Sequence, residues 1–153
     1  MLGLGRGDDT LKRVTQPQLV PNLTCVVQIE SGRAHTVALD VRRDVYGWGR
    51  CDHGAIGLRM ATPAHQSNPL PISLNLDATD KVLQISCGLE HSCFLTADGH
   101  VFGCGESEYG QLGLGYVSLK EYRPMRAKFR DMAPGDYVQK IACGAHHTLY
   151  LTR

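Results

Sequence analysis

Three histidines are the most chemically suggestive residues in the chain. His35, His91 and His147 recur at a constant spacing of 56 residues, and imidazoles brought together from equivalent positions could act as metal ligands or general bases. Strict repetition favours a structural role, because one histidine per unit is what a unit-stabilising hydrogen bond requires. The competing expectation, a metal or base set converging from the three repeats, would make the chain a metalloprotein or an enzyme. His146 stands outside the repeat.

The six cysteines, at 25, 51, 87, 93, 104 and 143, contain no CxxC pair and no zinc-finger spacing. Cys87 and Cys143 each precede a repeated glycine, where cysteine behaves as a small hydrophobe. The glycine-rich stretches 3–7 and 110–115 complete neither GxGxxG nor GxxxxGK[ST], and no GxSxG elbow or HExxH helix occurs. No catalytic residue, metal or cofactor is therefore expected.

Basic residues cluster twice. Arg123, Arg126 and Lys128 lie in one connection with Lys120 and Arg130, and Arg42 and Arg43 are adjacent. Either cluster could meet an acidic partner or phosphates, although Glu121 and Asp131 dilute the first and no aromatic ladder interleaves it. Sixteen basic against fifteen acidic side chains leave a net charge of +1, too little to draw the whole chain to nucleic acid or an anionic membrane. Chromatin or nucleic acid is thus a weaker expectation than a protein partner. No apolar run approaches a membrane span, and residues 1–9 lack a secretory signal. With unpaired cysteine spacings, the expected setting is the reducing cytoplasm or nucleus.

The scaffold that carries these residues is legible in the glycines. Of 17 glycines, most fall in register when the sequence is slid against itself. Val26, Ile29, Gly32, His35, Thr36 and Leu39 superpose on Val82, Ile85, Gly88, His91, Ser92 and Leu95, and again on Val138, Ile141, Gly144, His147, Thr148 and Leu151. Gly47, Gly49, Gly54 and Gly57 fall on Gly103, Gly105, Gly110 and Gly113, and Leu2 to Gly5 repeat Leu112 to Gly115. Three copies make this a genuine internal repeat.

Each unit reads as short strands. Segments 26–31, 35–40 and 45–48 are apolar or alternating, and their equivalents recur. Asp98 and Gly99 form a hairpin-turn pair between the second and third strands of the middle unit. Its counterpart Arg42, Arg43 predicts a less regular hairpin. A fourth strand is expected at 18–20, 70–74 and 125–128, each just after a proline. Four short antiparallel strands per unit is the arithmetic of an all-β propeller blade. Residues 1–24 then end a truncated repeat, 25–80 and 81–136 are repeats, and 137–153 begin another.

The run Ile85, Ser86, Cys87, Gly88, Leu89, Glu90, His91, Ser92, continuing through Leu95, Asp98, Gly99, Val101 and Phe102 to the stretch 109–115, resembles the repeats of the regulator of chromosome condensation family. Trp48 and Gly49 resemble that family's tryptophan-glycine strand end. The resemblance implies blades of a seven-bladed β-propeller, of which about three are present. It further implies either a segment of a larger propeller or self-association to close the ring. Gly32, His35, Gly49, Gly88, His91, Gly105, Gly113, Gly144 and His147 become structural repeat positions. By the same resemblance, the expected activity is non-enzymatic protein binding through loops on a propeller face. The alternatives it carries are nucleotide exchange on a small Ran-like GTPase, or a scaffold segment of a ubiquitin ligase or kinase.

Overall fold

The computed structural model describes residues 3–4, 14–58 and 64–153. All its regular elements are strands: β1 (Val26–Ser31), β2 (His35–Asp40), β3 (Val45–Arg50), β4 (His65–Pro71), β5 (Val82–Cys87), β6 (His91–Thr96), β7 (Val101–Glu106), β8 (Lys120–Arg126), β9 (Val138–Cys143) and β10 (Thr148–Thr152). They form antiparallel sheets in the orders β1-β2-β3-β4 and β5-β6-β7-β8, with β9 and β10 paired separately. These are two blades and two strands of a third. The first strands of successive blades lie against one another, β1 on β5 and β5 on β9. Among the described residues no helix is long and apolar enough to cross a membrane.

The core lies between blades. Val37, Leu39, Val45, Ile72 and Leu74 of the first blade pack on Val82, Ile85, Phe94 and Cys104 of the second. A second cluster joins Cys93, Leu95, Val101, Leu112, Leu114 and Ala127 to Val138 and Ile141. Strand β6 serves both clusters: Phe94 faces the first and Cys93 and Leu95 the second, so all six of its residues are buried. Ile85 and Ile141 are each 1% exposed, whereas Ile29 in the same column is 60% exposed. Among the described residues no blade covers the outer side of β1.

The fourth strand corrects the sequence expectation. It runs over His65–Pro71 and Lys120–Arg126, ahead of most of 70–74 and 125–128, and residues 18–20 carry no strand. Pro69 and Pro124 therefore lie inside their strands. Each sits at an irregularity where the register jumps, between the pairs Gly47↔Leu70 and Gly49↔Gln66 and between Gly103↔Met125 and Gly105↔Glu121. On an outermost strand the missing N–H leaves no ladder bond unmade.

The hairpin at Arg42 and Arg43 is as tight as its counterpart. Arg43 adopts φ 74° where Gly99 has φ 75°, and the bonds Arg43 N–H to Asp40 O and Gly99 N–H to Thr96 O are both 3.0 Å. Asp40 holds the turn against the left-handed strain at Arg43, since Asp40 Oδ1 accepts from the backbone N–H groups of Arg42 and Asp44, both at 2.9 Å. In the second blade the carboxylate comes from Asp80, whose Oδ1 accepts from the backbone N–H groups of Lys81 at 2.9 Å and Asp98 at 3.2 Å.

Candidate functional site

The repeated histidines do not converge. Two of them reach forward to a hydroxyl of the next blade: His35 Nε2 lies 2.9 Å from Ser92 Oγ and His91 Nε2 lies 3.1 Å from Thr148 Oγ1. Ser92 donates its own proton to Ala55 O at 2.7 Å, so it can only accept from His35, which fixes the His35 proton on Nε2. Among the described residues no group of candidate metal ligands contains two of the three histidines. His147 is exposed.

Gly32, Gly88 and Gly144 follow β1, β5 and β9, and each lies under the ring of its own blade's histidine. A Cβ on Gly32 would also meet Gly88 O, and one on Gly88 would meet Gly144 O. Gly49 and Gly105, with φ 106° and 104°, let the third strand pass the carbonyls of Ala34 and Glu90. Gly113 lies beside Tyr150 and Ala127, where Leu112 enters the second core cluster.

Two glutamines that form no recognisable motif complete the seam. Gln28 Nε2 donates to Ile85 O at 2.8 Å and Gln28 Oε1 accepts from Ile85 N–H at 3.1 Å. Gln84 repeats this on Ile141 at 2.8 and 2.9 Å. One side-chain amide thus supplies both halves of a backbone-like pairing between blades. The repeated glutamine column was the available signal, but Lys140 breaks it in the third copy. Gln84→Leu leaves the Ile141 N–H and C=O unpaired, at a cost of about 2 kcal/mol or roughly 4–8 °C in Tm. Thermal unfolding followed by circular dichroism checks this, and an unchanged Tm would show the clamp to be incidental.

No two of the cysteines form a disulfide. Burial pushes the Cys87 thiol up to about 12 and raises Cys104 far above the usual range, so neither is a nucleophile at neutral pH.

The basic residues divide. Arg126 and Lys128, with Arg130 and His100, line a cavity of about 850 Å3 that also contains Phe129, Met132, Tyr137, Asp98 and Asp136. It opens on the side of the β6–β7 hairpin. One blade earlier, a smaller cavity of about 320 Å3 is lined by Arg43 and Lys81 but also by Asp44, Asp77 and Asp80. Arg42 is held by Asp40 at 3.2 Å and Asp44 at 3.5 Å. Arg123 is exposed on β8 and lines neither cavity.

Two family models, each described as a regulator of chromosome condensation (RCC1) repeat, match the chain, one over residues 26–55 and 82–111 and the other over 2–39, 44–95 and 98–151. The chain belongs to this repeat family. The seams just described are thus contacts between successive RCC1-type blades. The chain is 38% identical over 147 residues to a human probable E3 ubiquitin-protein ligase, HERC4, covering 95% of this chain and 13% of that protein. It is 35% identical over 99 residues to a mouse RCC1-like G exchanging factor-like protein, covering 65% of this chain and 22% of that one. The crystal structure of human WBSCR16 superposes with a TM-score of 0.71 at 26% identity, over 84% of this chain and 31% of that one. The chain thus spans well under half the length of each.

Proposed function

We propose that this RCC1-type chain is a non-enzymatic protein-interaction module that binds an acidic partner segment at the cavity lined by Arg126, Lys128 and Arg130. The contrast with the equivalent cavity one blade earlier carries the reading. A repeated scaffold places both crevices on the same side, yet only the second combines three cations with the apolar surface of Phe129, Met132 and Tyr137. Loops held by rigid blades are where such selectivity is placed.

A labelled Asp/Glu-rich peptide, followed by fluorescence anisotropy, tests this. Reversing Arg126, Lys128 and Arg130 to glutamate is expected to weaken binding at least tenfold, with the native chain losing affinity as salt rises. Charge reversal at Arg42 and Arg123 leaves it unchanged. Equal loss from both sets would mean nonspecific charge attraction and defeat the proposal.

Nucleotide exchange on a small GTPase is the second reading, supported by the likeness to the exchanging-factor-like protein. It predicts faster release of a fluorescent guanine nucleotide from a Ran-like GTPase in the presence of this chain. A scaffold role within a ligase, supported by the likeness to HERC4, predicts partner binding without that release.

A further inference from the structure

Between the second and third blades, four side chains turn toward one point. His91 Nε2 lies 3.1 Å from Thr148 Oγ1, and that hydroxyl stands 3.7 Å from Cys93 Sγ and 3.8 Å from Cys143 Sγ. The ligand atoms of His91, Cys93 and Cys143 all lie within 4.8 Å of one another. A tetrahedral zinc ion, with bonds of about 2.0–2.3 Å, separates its ligand atoms by about 3.3–3.8 Å. Thr148 Oγ1 is already near that separation from each of the other three.

The preceding seam provides an internal comparison. There His35, Cys87 and Ser92 occupy the columns of His91, Cys143 and Thr148, with His35 Nε2 2.9 Å and Cys87 Sγ 3.4 Å from Ser92 Oγ. The column of Cys93 holds Val37, which is fully buried in the first core cluster. Blade packing thus accounts for the histidine, one thiol and the hydroxyl. It does not call for the second thiol.

We propose that His91, Cys93 and Cys143, with the Thr148 hydroxyl as fourth ligand, form a binding site for a thiophilic d10 cation, with Zn2+ the ion whose preference for nitrogen and sulfur ligands this set matches. Two thiolates and a neutral imidazole are a soft, charge-compensating donor set. On binding, Cys93 and Cys143 release their protons to solvent. His91 coordinates through Nε2 and carries its proton on Nδ1, an atom that is buried and makes no hydrogen bond. His91 and Cys93 are 0% exposed, whereas Cys143 is half-buried and gives the ion its way in.

The test is titration of the reduced, metal-free chain with Zn2+ against a chromogenic chelator. One equivalent is expected to bind, and Cys93→Val is expected to weaken it by about 100-fold or more. That variant installs the residue the preceding seam already accommodates, and its strand signal by circular dichroism confirms folding. Co2+ on the unmodified chain gives a readout independent of any variant: an intense tetrahedral visible spectrum with a thiolate-to-cobalt charge-transfer band. No stoichiometric uptake, an equivalent that survives Cys93→Val, or bound Co2+ without the charge-transfer band would each overturn the proposal.

Discussion

Gly88→Ala is expected to cost on the order of 3 kcal/mol or more, enough to remove much of the stability of a domain this size. A Cβ at Gly88 would run into the His91 ring and stand 2.6 Å from Gly144 O. The ring could move only by giving up its bond to Thr148, and the carbonyl belongs to the backbone of the next blade. Neither can yield without opening the seam that buries Val138 and Ile141. Gly110→Ala is the control. Gly110 has φ 76° but nothing within 4 Å of the place a methyl group would occupy, so its cost is backbone strain alone, about 1–2 kcal/mol. Urea unfolding of both variants separates the effects, and equal midpoints would refute a steric role for Gly88.

Acidification is expected to weaken the fold through His35. Burial, followed by the nearby His91, pushes its pKa from 6.5 down to about 4. In the unfolded chain His35 takes up a proton near pH 6.5, whereas the folded chain refuses it until about pH 4. Stability present above pH 6.5 is therefore lost as pH falls toward 4, by about 3 kcal/mol at the lower end. The physical cause is the fixed Nε2–H donor to Ser92, enclosed where a second proton on Nδ1 finds no partner. Tm measured from pH 7 to pH 4.5 should fall more steeply for the native chain than for His35→Gln, whose amide can still donate to Ser92 but does not titrate. Parallel curves would assign the acid sensitivity to other groups.

The first three strands of each blade were legible because glycine and histidine columns repeat with a constant interval and the apolar positions between them alternate at strand spacing. The fourth strand was not. Its residues face less of the core and its proline sits at a register jump, so neither periodicity nor proline placement marked its start. The hairpin at Arg42 and Arg43 misled for a related reason. A positive φ was expected to need glycine, but Asp40 bonds the turn's amides and holds Arg43 there. In the second blade Asp80 does the same from outside the hairpin.

Of the candidate partner contacts, Arg126 and Lys128 share a cavity, while Arg42, Arg43 and Arg123 do not join it. Linear clustering could not show this, because residues two or three apart on and after β8 point to different surroundings. The glutamine clamps were hidden for a different reason: an amide has no motif until the atoms it bridges are known.

The blade is written into the local sequence. Its period, glycine turns and alternating apolar residues are local requirements of short strands, readable wherever they recur. What the blades do to one another emerges only once they are packed: the amide of Gln84 bridges to Ile141, Arg126 and Lys128 share a crevice, and Cys93 meets His91 and Cys143. Those contacts join residues far apart in the chain, and their distances depend on how one blade is rotated and packed against the next. That packing is a collective property of the buried seam, encoded in no single segment.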